Sequence, residues 1–321
     1  SYFKLRDYSA ALNRFRQYVD LESNRQAASL ADAYNRIGDC LYQNRQFSLA
    51  EENYSRAVQL SPSAGDYSIY QKGFLLGLQK DYKGKISAMD RLISEYPESQ
   101  YVDDALFEKG RSYVLLENSS SAAQAFEKLI REFPQSSLAR KAGIQLGLLY
   151  YNDNQPEKAL AAYKQVISNY PGSEEAKIAL QDLKSVYIDL NDINAYASYV
   201  NSIGGNIRLE VGEQDSLTYI AAEKLFMRGD NDGARRSLIN YLQTFPEGAF
   251  SSNANFYLGS IAFAKKEFDE AIQRFKSVIA SGDTKFLEES VARTAEIEYL
   301  SKDYPAALES FKRLLIVAEN P

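Results

Sequence analysis

Residues 101–134 read YVDDALFEKGRSYVLLENSSSAAQAFEKLIREFP, and this stretch decides the fold. In each half, large apolar residues and one small residue recur three and four positions apart, as they do on one face of a helix. The closing proline cannot continue a helix, so the stretch predicts two helices, a turn between them and a stop. The residues that carry the pattern are Leu106, Gly110, Tyr113, Ala122, Phe126, Leu129 and Pro134.

The same pattern recurs along most of the chain. A small residue in the first helix is followed twelve positions later by an Ala in the second helix, except that Lys85 takes the Ala position once. The small residues are Gly38, Gly73, Gly110, Gly147, Ala222, Gly259 and Ala295. The prolines Pro62, Pro97, Pro134 and Pro171 step by 35, 37 and 37 residues. Such a fixed period predicts a stack of helix-turn-helix units.

Two stretches depart from the period. Residues 174–203 keep Leu183, Ala195 and Tyr199 near the expected spacing but lack the glycine and the proline, which predicts a degenerate helical unit. Residues 204–214 contain flanking glycines and alternate apolar and polar positions, which predicts an irregular loop with extended character. We therefore expect an array at 1–203, a linker at 204–214 and a second array at 215–321. The linker is either a hinge or a plain insertion.

These motifs resemble those of the tetratricopeptide repeat (TPR) family. The family pattern is a large residue, then Leu-Gly-x-x-Tyr, then Ala-x-x-x-Phe-x-x-Ala and Pro, and it covers nearly the whole chain. The resemblance implies an all-α fold, an α-α superhelix of about eight repeats plus a partial N-terminal one. The spacing and the Tyr/Phe-Pro-x-Ser junctions also resemble bacterial envelope TPR proteins, of the outer-membrane assembly lipoprotein and periplasmic division-coordinator types. A location in the bacterial periplasm or at the outer-membrane periphery is therefore expected.

The two ends of the sequence look incomplete. The segment from Tyr8 to Tyr18 matches a second helix, and Tyr2 falls where only the end of a first helix would be. We expect both ends to present apolar faces that a further repeat or a second copy of the chain would cover. Self-association through these ends is one expectation that follows.

The resemblance implies a concave groove lined by the first helices. On those helices, spacing by three and four residues places aromatic and aliphatic side chains and one arginine on a shared face, a composition that suits a protein or peptide partner. The same aromatic residues could instead pack between repeats. The candidates are Tyr70, Phe74, Phe107, Arg111, Ile144, Leu148 and Tyr151 in the first array, and Tyr219, Phe226, Phe256 and Phe263 in the second.

Catalysis is not expected. The chain has no histidine, which excludes histidine general-base catalysis and histidine-ligated metal sites. The lone Cys40 has no histidine to activate it, and burial in the helix is the simpler interpretation. Adjacent acids such as Asp103 and Asp104 point about 100° apart on a helix and do not converge on a substrate. No phosphate-binding glycine motif is present, and we expect no catalytic residue, no cofactor and no metal.

Charge and hydropathy limit the classes of partner that the chain is expected to bind. The formal net charge is −6 and no dense basic run occurs, so nucleic acid is not expected as a partner. No apolar run reaches the length of a membrane span. Lys72 and Lys109 occupy the same position in successive units. They either contact an acidic ligand or pack their aliphatic stems and extend the ammonium group to water.

A scaffold that binds a partner polypeptide is therefore the predicted function, with a cell-envelope assembly as its expected setting. Two alternatives stay open at this point. One is a structural module that associates with itself or with other parts of a longer repeat protein. The other is a module that binds peptidoglycan or another glycan, since the chain has 24 tyrosines and aromatic faces stack on sugars.

Overall fold

The computed structural model describes residues 2–21, 26–204, 208–282 and 284–318. Within these residues the structure is helical, with 17 α-helices and no strand. The helices are α1 (Tyr8–Leu21), α2 (Ala27–Gln43), α3 (Phe47–Leu60), α4 (Asp66–Leu78), α5 (Tyr82–Glu95), α6 (Val102–Leu115), α7 (Ser119–Glu132), α8 (Ser137–Asn152), α9 (Pro156–Asn169), α10 (Glu174–Asp189), α11 (Ile193–Ile203), α12 (Val211–Met227), α13 (Asn231–Thr244), α14 (Ser251–Ala264), α15 (Phe268–Ser281), α16 (Thr284–Leu300) and α17 (Tyr304–Val317).

From α2 onward the helices form eight successive pairs, each with a first and a second helix. The helix α1 precedes them and corresponds to a second helix without a helical first partner among the described residues. This arrangement confirms the predicted all-α superhelix of about eight repeats plus a partial N-terminal one. The degenerate unit also keeps its helix pair, as α10 and α11.

The glycine of the first helix allows the two helices of a repeat to approach closely. A Cβ on Gly147 would lie 2.4 Å from Cε1 of Tyr163, and a Cβ on Gly110 would lie 2.5 Å from Cε1 of Phe126. Both rings are almost fully buried. The glycine and the aromatic ring therefore form one packing unit, which explains why they recur at a fixed spacing.

Each turn between a first and a second helix contains a residue in the left-handed conformation. In the second repeat this residue is Lys80, with φ of 64°, and the next N–H, that of Asp81, donates to the Leu76 carbonyl at 2.9 Å. The Asp81 carboxylate then accepts from the Gly84 N–H at 2.9 Å and caps the second helix. The backbone bond recurs in the third repeat, where the N–H of Asn118 donates to the carbonyl of Tyr113 at 2.9 Å. These turns fix the antiparallel pairing.

Polar side chains link the end of one repeat to its own start. Ser99 donates to the Asp66 carboxylate at 2.6 Å, and Ser136 donates to Asp103 at 2.7 Å. Ser136 also caps the following first helix by accepting from the Leu138 N–H at 3.0 Å, whereas Ser99 accepts from the Tyr101 N–H at 3.2 Å, just before the next first helix begins. The junction between neighbouring repeats is therefore held by buried packing and by these hydrogen bonds.

The chain divides into two compact units, 1–182 and 183–321, and the division falls inside α10. In unit 1 the core follows the repeats, with Tyr54, Phe126 and Leu129 among its fully buried side chains. In unit 2 the core is centred on Tyr241 and Phe275. The predicted domains 1–203 and 215–321, with a linker at 204–214 that is either a hinge or a plain insertion, stay a prediction.

The predicted loop at 204–214 ends earlier than expected, because its last four residues are helical. Residues 205–207 lie outside the described residues, and residues 208–210 are not helical. Helix α12 already begins at Val211, four residues before the predicted start at 215. Glu210 has the extended conformation of an N-cap residue, and Glu213 places a negative charge in the first turn, where the helix dipole favours it. Gly212 is tolerated there because the first turn has few helical hydrogen bonds to lose.

Candidate functional site

The predicted aromatic residues of unit 1 lie half-buried on the first helices and pack against neighbouring rings. The Tyr70 ring stacks on Tyr101 of the next repeat, with centroids 5.3 Å apart. Phe74 contacts Tyr42 with centroids 6.2 Å apart, and Phe107 contacts Phe126 at 5.9 Å. These rings therefore have a packing role, and only part of each surface is available to a partner.

Two of the remaining candidates of unit 1, Leu148 and Arg111, are more open than these aromatic residues. Leu148 is 42% exposed, Arg111 is exposed, and Ile144 and Tyr151 are half-buried. Two leucines that the sequence analysis did not select continue this surface, since Leu78 is 48% and Leu115 is 57% exposed. We call the surface formed by Leu78, Arg111, Leu115, Leu148 and Tyr151 the first-helix face of unit 1.

The two missed leucines occupy the last turns of α4 and α6, directly before the turns to the second helices. The three- and four-residue spacing that selected Phe74 and Arg111 reaches them if it is continued by one more step. Leu78 and Leu115 thus add to the exposed apolar side chains on the first helices of unit 1.

A buried ion pair lies between α5 and α6. The Lys85 ammonium pairs with the Glu108 carboxylate, and the two side chains are only 10% and 12% exposed. The ammonium also lies 5.8 Å from the centroid of the Phe74 ring. Arg111 contacts the other Glu108 oxygen at 3.2 Å. The lysine fits at the Ala position because Gly77 leaves room for it, and a Cβ there would lie 2.8 Å from Lys85 Cδ.

Acidic groups beside Tyr70 shape the electrostatics of this surface. Burial raises the pKa of the Asp104 carboxyl, and the nearby Asp103 and Glu108 raise it further. Burial also raises the pKa of the Tyr70 hydroxyl, with Asp104 as the next cause. The surface therefore combines negative potential near Tyr70 with the exposed guanidinium of Arg111.

In unit 2 two of the four candidates belong to the core. Tyr219 is 2% exposed and Phe256 is 7% exposed, so neither offers a partner a contact surface. Tyr219 stacks on Phe250 with centroids 4.5 Å apart, and Phe256 stacks on Phe286 at 4.2 Å. These rings fill the space between repeats, which is the packing alternative that the sequence left open.

The other two candidates of unit 2 are half-buried. The Phe226 ring contacts Tyr257 with centroids 4.6 Å apart, and the Arg293 guanidinium lies 5.0 Å from the Phe263 centroid. Glu223 lies beside them and accepts hydrogen bonds from Tyr219 at 2.6 Å and from Tyr257 at 3.1 Å. This carboxylate was not selected from the sequence, although it lies four residues after Tyr219 on the same helix face.

Cys40 is fully buried, and burial raises the pKa of its thiol to about 11, with Asp39 as the second cause. A raised thiol pKa means that less reactive thiolate is present at any pH below it. At about pH 8 we expect the native chain to react with a disulfide reagent at least ~100-fold more slowly than the chain unfolded in urea. Stopped-flow measurement of thiol release checks this, and equal rates would contradict the burial of Cys40.

The described residues contain no group of three or more His, Cys, Asp or Glu side chains arranged to hold a metal ion. No described helix combines the length and the apolar character that crossing a bilayer requires. The acidic neighbours Asp103 and Asp104 have separate surroundings, since Asp103 accepts from Ser136 whereas Asp104 lies near Tyr70.

Comparison with protein-family models gives four matches. Models of the tetratricopeptide repeat match residues 31–63, 67–99 and 221–284. A model described as YfiO, outer membrane lipoprotein, matches residues 103–181. No protein with a curated description matches the chain significantly.

Similar solved structures are also helical-repeat proteins. The C-terminal part of a TPR repeat-containing protein from Cytophaga hutchinsonii is 16% identical, with a TM-score of 0.46 over 90% of this chain and 96% of that chain. A tetratricopeptide repeat protein from Parabacteroides merdae is 17% identical, with a TM-score of 0.45 over 82% and 98%. YrrB, described as a TPR protein with an unusual peptide-binding site, is 16% identical, with a TM-score of 0.44 over 70% and 97%.

Proposed function

Because this chain carries tetratricopeptide repeats in both of its compact units, we propose that it is a non-catalytic scaffold that binds a partner polypeptide on the first-helix face of unit 1. Stacked helix pairs are typical of proteins that present a long surface to other proteins. The absence of histidine from the sequence is consistent with a role in binding rather than catalysis.

The exposed leucine row is the observation that carries this proposal. Leu78, Leu115 and Leu148 lie on the first helices of three successive repeats and are between 42% and 57% exposed. Burial of a leucine side chain contributes about 1.5–3 kcal/mol when it is complete, so covering the exposed half of each contributes about 1 kcal/mol. A partner with apolar side chains at matching intervals would gain this energy.

Polar groups around the row give the partner an orientation. Arg111 is exposed between the leucines and stays within 3.2 Å of Glu108, which itself is held by Lys85. A guanidinium fixed in this way can donate hydrogen bonds to a carboxylate of a partner with little loss of side-chain entropy. We therefore expect the bound segment to combine apolar residues with an acidic residue opposite Arg111.

The cell envelope of a bacterium is the proposed location. The match of residues 103–181 to an outer membrane lipoprotein model supports it, and that segment lies within unit 1. The partner would then be another envelope polypeptide.

The proposal is tested by immobilising the chain and selecting peptides that bind it from a random display library. Selected peptides are expected to lose at least about tenfold in affinity when Leu115 and Leu148 are both replaced by Ser, since ~1.4 kcal/mol corresponds to a factor of ten. The matched control replaces Leu49 and Leu308 by Ser, because these leucines are 46% and 57% exposed but lie on second helices.

Three results would count against the proposal. Equal losses in both double variants would mean that the leucine row is not the binding surface. If no peptide is enriched but the chain forms dimers in analytical ultracentrifugation, self-association through the ends is the better account. If the chain retains muropeptides but enriches no peptide from the library, glycan binding is favoured.

A further inference from the structure

The last helix pair of unit 2 exposes a group of large apolar side chains. Those of α17 recur at intervals of four, three and four residues, which places them on one face of the helix. The Tyr299 ring of α16 contacts the Tyr304 ring edge-on, with centroids 5.8 Å apart, and extends this surface. We call it the α17 face. It comprises Tyr299, Tyr304, Leu308, Phe311, Leu315 and the adjoining Ile316, which are between 43% and 83% exposed.

The equivalent ring position is covered in the other repeats. Phe311 lies sixteen residues after the small residue of its first helix and is 43% exposed. The residues at this position in six other repeats are at most 1% exposed, namely Tyr54, Met89, Phe126, Tyr163, Leu238 and Phe275. Phe275, for example, shares a core cluster with Ile297 of the next first helix, α16. Among the described helices only α16 packs extensively against α17, so Phe311 has no such cover.

The α17 face is large enough for a stable interface between proteins. Its residues together expose on the order of 700 Å², if a large apolar residue offers about 200 Å² when it is fully exposed. Stable complexes bury about 800 Å² from each partner, and monomers rarely expose continuous apolar patches above a few hundred Å². Two copies that meet through this face would therefore bury an area of the standard size.

The α17 face is also complementary to itself. The intervals of four, three and four residues read the same in both directions along the helix. When a second copy lies antiparallel, Tyr304 is opposite Leu315 of that copy, and Leu308 is opposite its Phe311. Each contact then pairs an aromatic ring with a leucine. Self-complementarity of this kind is what a two-fold symmetric interface requires.

The charges beside the face do not oppose such a contact. Glu309 and Lys312 lie along one edge and pair with each other within the helix, where the Lys312 ammonium donates to Glu309 at 2.9 Å. The edge therefore has no net charge that an identical surface would repel, and it favours neither an acidic nor a basic partner. Arg313 is exposed but lies about 140° from Leu308 around the helix, away from the face.

We propose that the α17 face is a homodimer interface, and that its occupant is the α17 face of a second copy in antiparallel orientation. The area, the palindromic spacing and the neutral edge support this occupant over a partner of different sequence. The proposal does not depend on the first-helix face of unit 1. A dimer would present that face twice, so a partner with two binding segments would gain avidity.

Sedimentation of the full chain over about 1–100 µM tests this proposal. We expect a monomer–dimer equilibrium with a dissociation constant below about 10 µM. A chain that is strictly monomeric at about 100 µM would overturn the proposal. A series of species that grows beyond the dimer would also overturn it, because a two-fold symmetric contact closes at two copies.

Matched leucine variants locate the interface. Leu308→Ser combined with Leu315→Ser is expected to raise the dissociation constant of the dimer at least about 30-fold, since four leucines leave the interface. The control is Leu115→Ser combined with Leu148→Ser, which removes exposed leucines from the first-helix face and should leave the dimer unchanged. Equal dissociation constants of the two double variants would overturn the proposal. Circular dichroism checks the folding of both.

A pair of charge variants tests the orientation and decides if the leucine variant fails to fold. Lys312→Glu places two carboxylates per copy along the edge of the interface and should weaken the dimer at least about fivefold. Arg313→Glu makes the same change of charge on the far side of α17 and should change the dissociation constant less than about twofold. Equal effects of the two substitutions would contradict an interface through the α17 face.

Peptide binding separates this proposal from the proposed function. The variant with Leu308→Ser and Leu315→Ser should lose the dimer but keep its affinity for peptides selected on the parent chain. If the variant with Leu115→Ser and Leu148→Ser lost the dimer instead, self-association would occur through the first-helix face, and the α17 interface would be overturned.

Discussion

Replacement of Glu108 by Ala is expected to lower the free energy of unfolding of unit 1 by about 3 kcal/mol. The cause is the Lys85 ammonium, which is only 10% exposed and loses its anionic partner. An uncompensated buried charge costs far more than the pair contributes when it is intact. Urea unfolding followed by circular dichroism measures the effect.

The control for this prediction is Lys85→Ala, which restores the residue found at the same position in the neighbouring repeats, namely Ala50, Ala122 and Ala159. Glu108 then keeps Arg111 at 3.2 Å, and we expect a loss below about 1.5 kcal/mol. The double variant Lys85→Ala with Glu108→Ala should be more stable than Glu108→Ala alone. An additive pair of losses would contradict the buried ion pair.

Replacement of Asp215 by Ala is expected to destabilise unit 2 by about 3 kcal/mol. Asp215 is 8% exposed and accepts two hydrogen bonds, from the Tyr241 hydroxyl at 2.6 Å and from the Ala249 N–H at 2.9 Å. Hydrogen bonds to a charged acceptor contribute about 1.5–3 kcal/mol each, and the variant leaves both donors without their acceptor. Thermal and urea unfolding of the full chain would both register this loss.

Two further variants separate the hydrogen bonds of Asp215 from general effects of charge. Tyr241→Phe removes one of the two bonds and should cost less than Asp215→Ala. Asp269→Ala removes an exposed carboxylate from the same unit and should leave stability close to that of the parent chain. If Asp215→Ala were as stable as Asp269→Ala, the polar link from Asp215 to Tyr241 and Ala249 would have no energetic role.

The fold could be predicted from the sequence because its main constraint is local. A glycine such as Gly147 and a ring such as Tyr163 must meet across one helix pair, so their spacing is the same in the repeats that contain both. The degenerate unit lacks this glycine and could be placed only from the spacing of its apolar residues. The start of α12 was missed because Gly212 resembles a loop residue, whereas in the structure it lies in the first turn of a helix.

The candidate site could be predicted only in part, since sequence spacing selects a helix face but not its burial. Tyr219 and Leu148 both lie on predicted contact positions, yet the first is in the core and the second is 42% exposed. The difference in exposure depends on side chains outside the helix itself, because the Phe250 ring covers Tyr219. The ion pair of Lys85 and Glu108 was also beyond prediction, since it depends on the space beside Gly77.

The sequence contains one further signal of the repeat, a recurrent pair of an acidic residue and a serine. Asp66 and Ser99 are 33 residues apart, and so are Asp103 and Ser136, and each pair forms a hydrogen bond. Asp215 occupies the corresponding position in unit 2, seven residues before the small residue of its first helix, and there the Ala249 backbone replaces the serine. An acidic residue at this position therefore indicates a link within the repeat rather than a binding site.

Photo-crosslinking in the source cell tests the central claim most directly. A benzoylphenylalanine at Leu115, on the exposed leucine row, is compared with one at Gln273, an exposed position in unit 2. Mass spectrometry identifies the attached polypeptides. The scaffold proposal predicts one recurrent protein partner attached at Leu115 and not at Gln273. No attachment at Leu115, or attachment only to a second copy of this chain, would contradict it.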